Sequence, residues 1–349
     1  MYNKRDAIMT QGLGIVSMIV LHLFCRFEPF GTPLIWITNT KPLVYYFGFF
    51  AEICAPLFAL VSGYAQRLII ENDKYSYKSN LDRVLRLMVK YWIVLCVFSI
   101  IGLIIDCDGI PISANAFLLN VVLIGRYNPH WWFLNSYVLA MIIPRKVLFW
   151  LFDKFKSFGV NIMLCLGLSV ASYLVERFDI VGMLSTKSVV LNLLLNQSME
   201  FLRFLPGFFV GYVFCKFNVI QKVSEFIENK IGNKHKNLVL FVLFSIWFVV
   251  IVVLNKAVLN ILSVIITFLV FNLYNKPKFV ENILLVLGRN STYMWLVHGF
   301  FYALTFRELV LKAKYSLPIL LVVILLSLLT SIVLTFVEKG IYSIFKKQK

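Results

Sequence analysis

Acidic residues are scarce in this chain, 17 Asp and Glu against 34 Lys and Arg, and charged residues of all kinds make up only 15% of it. So little charge excludes the solvated surface of an ordinary soluble domain, in which about a quarter of the residues are charged. Paired cysteines are missing as well. Cys25, Cys54, Cys96, Cys107, Cys165 and Cys215 stand singly, mostly inside apolar runs, with no CxxC pair and no zinc spacing. They support neither a disulfide framework nor a cysteine metal site, so they read as small apolar filler and no metal is expected. Nor is there a concentrated basic tract. The net charge of +17 is spread over many loops, which argues against nucleic acid as a partner. The chain also lacks internal repeats, low-complexity segments and any run long enough for a separate soluble domain. One domain over residues 1–349 is the expectation.

What is present in excess is apolar. Hydrophobic residues make up 60% of the 349, with a mean hydropathy of +0.84. They come in blocks near the roughly 20 residues that cross a hydrocarbon layer about 30 Å thick, so lipid is the expected solvent. Bilayer interiors leave a bare backbone unsatisfied, and the blocks lack the two-residue alternation of barrel strands, so the spans are expected to be helices. The pattern predicts an all-α, polytopic transmembrane bundle of about ten helices, at roughly 8–25, 43–70, 84–105, 131–152, 160–176, 198–215, 238–254, 257–275, 286–306 and 316–338. Residues 114–124 are too short for a crossing and fit an interfacial or re-entrant piece. Placing both termini in the cytoplasm puts most of the 34 basic residues on that side, as the positive-inside rule requires. Lys4 and Arg5 mimic a secretory signal, but no small-residue cleavage site follows, so the first block reads as a retained helix.

Polar groups inside such helices are expensive and mark candidate sites. Gln11 and His22 are eleven residues apart, which places them on one face of the first helix about 16 Å apart, with Ile15 and Met18 between. Gly12 and Gly14 beside them let a neighbouring helix come close. The structural alternative for His22 is an interfacial, hydrogen-bonded histidine. Pro56 can kink the second helix, and Ser62-Gly63 offers small polar packing near its inner end. Arg83 and Arg86, at i and i+3, aim their guanidinium groups the same way and suit a phosphate or diphosphate, although taken alone the pair reads first as anchoring at the inner face. His130-Trp131-Trp132-Phe133-Leu134-Asn135 is either an aromatic belt or a platform for a sugar ring. His298 lies deep in the ninth span. Glu338 is expected to pair with an arginine, and Glu200 with Arg203 at i, i+3.

Taken in order, these features resemble the bacterial membrane acyltransferase-3 family, whose members O-acylate surface polysaccharides and related glycans. Its first-helix frame, Arg-Gly-x-Ala with a His eleven positions after the Arg, is similar to Gln11-Gly12-Leu13-Gly14 and His22. Its Ser-Gly-aromatic close is similar to Ser62-Gly63-Tyr64, and its RxxR pair to Arg83 and Arg86. Its Trp-Phe-Leu segment resembles Trp132-Phe133-Leu134, its glycine-ended helix Phe208-Phe209-Val210-Gly211-Tyr212, and its late Ser…His stretch Ser291 and His298. One position departs. The family's arginine is Gln11 here, which donates a hydrogen bond but carries no charge.

The resemblance implies a multi-pass enzyme of the bacterial cytoplasmic membrane. It would move an acetyl or other short acyl group from cytoplasmic acyl-CoA, with acetyl-CoA as co-substrate, to a hydroxyl of a surface polysaccharide or lipid-linked sugar. His22 is then the candidate general base, because an imidazole accepts protons at neutral pH. Arg83 and Arg86 are candidates for the donor's phosphates, and Gln11 and Ser62 for lining its arm. Trp132, Asn135 and His298 are candidates for the acceptor. The competing readings are a transporter or flippase for lipid-linked sugars, and an inactive glycan-binding relative.

Overall fold

The computed structural model describes residues 2–26, 30–105, 110, 113–125, 128–254 and 257–346. Cys107 lies outside them. The described residues form helices, with two isolated bridges, Thr32 with Tyr315 and Trp36 with Pro42. The longer helices are α1 (Lys4–Phe24), α2 (Cys54–Glu71), α3 (Tyr77–Ile104), α4 (Trp132–Ile142), α5 (Phe158–Arg177), α6 (Val189–Lys216), α7 (Val219–Lys230), α8 (Asn233–Leu254), α9 (Asn260–Leu273), α10 (Lys278–Tyr302) and α11 (Ser316–Lys346). Among the described residues, seven segments are long and apolar enough to cross a bilayer: α1, Leu43–Glu71, α3, α5, α6, α8 and Ser316–Ser343. The protein is therefore a multi-pass, all-helical membrane protein.

Local sequence explains where several helices start and stop. Asn3 and Asp6 form a reciprocal cap on α1: the Asn3 Oδ1 accepts from the Arg5 N–H at 2.7 Å and the Asp6 carboxylate from the Asn3 N–H at 2.9 Å. Leu43–Glu71 is interrupted by a 3-10 turn at Ala51–Ile53. Pro56 accounts for it, because its ring crowds the carbonyl four residues earlier and leaves that turn without a donor. The span expected over 131–152 is broken. α4 ends at Ile142, and only short turns, Arg145–Leu148 and Trp150–Lys154, follow. Pro144 is the cause, since it disfavours helical geometry in the residue before it and removes a backbone donor.

The chain folds into two compact units. The first comprises Met1–Gly14, Phe50–Asn80 and Trp132–Gly288. Its densest seam joins α2 to α6, where glycines bring the two backbones together. A Cβ on Gly63 would lie 1.8 Å from the Phe208 carbonyl oxygen, one on Gly207 2.5 Å from that of Pro56, and one on Gly211 1.9 Å from that of Leu60. Apolar helices in lipid gain mainly by such close approach. The opening turns of α1 and α10 meet the same way, with Gly12 on Leu284 and Gly288 on Ile8. Several charges in this unit are paired. Arg67 bonds Glu71 at 2.8 Å and Tyr212 at 3.1 Å, and the Tyr212 hydroxyl donates to Asp153 at 2.5 Å. Arg203 pairs with Glu176 on α5. Leu238, Phe241, Val242, Leu243, Ile246 and Val249 line an exposed apolar side of α8, as a lipid-facing helix requires.

The second unit comprises Ile15–Phe49, Leu81–Trp131 and Arg289–Lys349. Phe98 of α3 stacks on Phe300 of α10 at 4.0 Å, and Tyr91 meets Trp131 edge-on at 4.9 Å. Residues 114–124 form the short helix Ala114–Val121. It is tied to α3 by the Tyr91 hydroxyl donating to the Asn120 carbonyl at 2.7 Å and the Trp92 indole to that of Val121 at 3.0 Å. Glu338 takes a lysine where an arginine was expected. Lys90 approaches it at 3.3 Å, and the Tyr293 hydroxyl donates to it at 3.1 Å.

Candidate functional site

Three histidines far apart in sequence meet within the second unit. His22 sits in the last turn of α1, His130 in the 3-10 turn Pro129–Trp131, and His298 in α10 one helical turn before Tyr302. The short turn is the element least fixed by its own backbone, and side chains anchor it. Asn128 accepts from the His130 N–H at 3.1 Å, the Trp131 indole donates to the Leu296 carbonyl at 3.0 Å, and the Trp295 indole donates to the His130 carbonyl at 3.1 Å. Gly299 makes room for this turn, because a Cβ there would lie 3.0 Å from both Asn128 and the His130 ring. The two indoles thus act as clamps on the turn that carries the His130 imidazole.

Ring centroids lie 3.9 Å apart for His22 and His130, 5.3 Å for His22 and His298, and 5.2 Å for His130 and His298. One ring nitrogen from each lies within 4.8 Å of the others. The Tyr302 hydroxyl shares a short hydrogen bond with His130 Nε2, and its ring lies nearly parallel to that of His22, 6.2 Å away. Arg26, one turn beyond His22 in sequence, holds its guanidinium carbon 4.9 Å above Phe30 and 5.8 Å above Tyr302. It is exposed and forms a charged rim.

Hydrogen bonding assigns one of the tautomers. His298 is fully buried, and its Nδ1 is 2.6 Å from the Trp295 carbonyl oxygen. A carbonyl only accepts, so Nδ1 carries the proton and Nε2 presents a lone pair. That Nε2 is buried without a hydrogen-bond partner, an arrangement native proteins tolerate rarely. Burial pushes the His130 imidazole down to about 3, and His298 and Arg26 push the same way. His130 is therefore neutral at physiological pH. Neutral imidazoles with lone pairs, a phenol and a nearby cation can together accept a proton from a hydroxyl and tolerate a developing anion.

Of the residues picked out in the sequence, His22 and His298 come together. Arg83 and Arg86 lie on α3 in the same unit but nearer its start, Arg83 half-buried and Arg86 exposed. Phe98, which reaches the level of Phe300, is twelve residues beyond Arg86, or about 18 Å along the helix. The guanidinium pair is thus well removed from the imidazoles. Gln11, Ser62, Trp132 and Asn135 belong to the first unit. Gln11 and Trp132 are half-buried there, and Asn135 is buried. The Ser62 hydroxyl donates back to the Phe58 carbonyl at 2.9 Å, as serines in apolar helices commonly do. Of the predicted aromatic pair, Trp131 is enclosed and structural. His130, read in the sequence only as part of the aromatic platform, completes the cluster together with Tyr302 and Arg26, neither of which was singled out in the sequence. The i, i+4 relation of both His22 with Arg26 and His298 with Tyr302 is the signal that could have found two of them.

A family profile described as an acyltransferase domain matches residues 9–336, nearly the whole chain, and the chain belongs to that membrane acyltransferase-3 family. No curated protein and no solved structure matches it.

Proposed function

From membership in the acyltransferase-3 family, and hence membrane acyltransferase activity, we propose that this chain is an O-acyltransferase of the bacterial cytoplasmic membrane. It moves an acetyl or other short acyl group from cytoplasmic acyl-CoA to a hydroxyl of a surface polysaccharide or lipid-linked sugar, with His22 as general base. The observation that carries this reading is the convergence of two further imidazoles and a phenol on His22 among otherwise apolar helices. Lipid does not explain so many polar groups at one point; a proton-transfer site does.

Chemically, His22 takes the proton from the acceptor hydroxyl as its oxygen attacks the thioester carbonyl. A C–O bond forms, the C–S bond breaks, and the imidazolium returns the proton to the departing thiolate. Tyr302 holds His130 in one orientation beside His22, and the Arg26 guanidinium favours the oxyanion electrostatically. Arg83 and Arg86 bind the phosphates of the donor at the inner face. Their distance from the imidazoles suits a donor whose long flexible arm carries the acyl group. Gln11 and Ser62 contribute to the donor side and Trp132, Asn135 and His298 to the acceptor side, as the family resemblance implies. Gln11 carries no charge, so donor binding leans on the arginine pair.

The test is transfer of label from radiolabelled acetyl-CoA to the native surface glycan by purified, reconstituted protein. Labelled glycan is the expected result. Translocation of glycan without transfer would make the protein a flippase, and glycan binding alone an inactive relative.

A further inference from the structure

We propose that His22, His130 and His298 also form a binding site for a divalent first-row transition ion such as zinc, and that an ion seated there silences acyl transfer. The binding half stands on geometry alone. The silencing half rests on the role proposed for His22.

Three nitrogen donors within 4.8 Å of one another need little movement to bind one ion. An ion at the centre of a triangle with 4.8 Å sides is about 2.8 Å from each corner, and small side-chain rotations bring that towards the roughly 2.0–2.1 Å of a zinc–imidazole bond. An independent observation points to a ligand. The buried Nε2 of His298 carries a lone pair and has no partner, which an ion in this position would satisfy. Its opposite nitrogen already donates to a backbone carbonyl, the arrangement that fixes a ligating histidine in its metal-binding tautomer. His130 is held similarly. Its Nε2 shares a hydrogen bond with the Tyr302 hydroxyl, and with Nε2–H donating to the phenol oxygen the Nδ1 lone pair is free for an ion.

Donor type selects the ion. Three imidazoles suit zinc, copper, nickel or cobalt, and the cluster offers no oxygen ligands of the kind magnesium and calcium demand. With three protein ligands the fourth position is open, and the Arg26 guanidinium at the rim favours an anion or hydroxide there. Coordination consumes the lone pair that His22 uses as a base, so metal occupancy and acyl transfer exclude one another.

Cobalt(II) reports the site directly. Chelator-treated, reconstituted protein titrated with Co2+ is expected to develop the visible absorption of a tetrahedral complex at one ion per chain, to lose it on adding Zn2+, and to be unaffected by Mg2+. The absorption is expected to vanish in His130→Asn and, separately, in His298→Gln, so a folding failure of either leaves the other to decide. Zn2+ is expected to abolish label transfer, and chelator to restore it. No absorption with the unaltered protein, or absorption surviving both substitutions, would overturn the site. Transfer that persists with zinc bound, or that requires zinc, would overturn the silencing. A protein that binds Co2+ normally but never transfers acyl groups would instead refute the proposed activity while leaving the site standing.

Discussion

The glycine seam between α2 and α6 and the imidazole cluster around His22 are both places where helices of an apolar chain come close, and they use that closeness in opposite ways. At the seam the side chains have been removed. Gly63, Gly207 and Gly211 let carbonyl oxygens sit where a Cβ would otherwise be, and the gain is dispersion spread over a long contact. At the cluster, polar rings have been brought in and two of them are held by hydrogen bonds. His130 is clamped by two indoles and a phenol, and His298 by a carbonyl. The seam has no room for an added atom, whereas the cluster is expected to be sensitive to the chemistry of its side chains more than to their volume. The seam lies in the first compact unit and the imidazole cluster in the second, so changes in the two are expected to fail differently.

That contrast is sharpened by changes of graded severity. The largest loss is expected from Gly211→Val, whose Cβ alone would lie 1.9 Å from a backbone oxygen. Overpacking of this kind costs about 1–3 kcal/mol or more. Folded protein recovered from membranes should fall severely, with any survivor keeping near-normal activity per molecule. Gly340→Ala, where nothing lies within 4 Å, should change neither. Next is Tyr302→Phe, which removes the hydroxyl on His130 without altering ring volume. Melting temperature should hold while kcat falls roughly tenfold, less than the roughly hundredfold or more that loss of a proton-transfer group itself costs. A Tyr302→Phe protein that melts early but keeps its kcat would make the phenol structural. Arg83→Ala with Arg86→Ala should raise the KM for acyl-CoA several-fold and leave kcat nearly unchanged, and an unaltered KM would return the pair to anchoring.

The smallest effect is in the pH dependence of stability. His130 stays neutral in the fold down to about pH 3, whereas an unfolded histidine takes up a proton near 6.5. The unfolded state therefore binds more protons between those values, and stability is lost as pH falls through that window, by at most about 1.4 kcal/mol per pH unit. Thermal melts from pH 7 to 5 should show that slope, and His130→Gln should flatten it.

Much of this was legible in the sequence, and what was not has physical reasons. Seven of the apolar runs correspond to helices long enough to cross a bilayer, because hydropathy and length alone decide that property. The break after α4 was written in Pro144 but hidden by the apolar residues on both sides of it. The approach of Gly12 to a neighbouring helix followed from local spacing. Ion-pair partners did not, since Lys90 for Glu338 and Glu176 for Arg203 depend on which helix lies alongside. His22 and His298 were conspicuous as polar groups in apolar helices. His130 was obscured by two tryptophans, which have an ordinary role at membrane interfaces, and Tyr302 by resembling one more interfacial aromatic. Their convergence spans more than two hundred residues of chain, a distance over which no spacing rule operates.

The central claim is that the imidazole of His22 does the chemistry of transfer and little for the fold. Label transfer and thermal unfolding measured side by side for His22→Ala test it most directly. The account predicts loss of at least about a hundredfold in transfer with an unchanged melting profile. Transfer at the rate of the unaltered protein would contradict it.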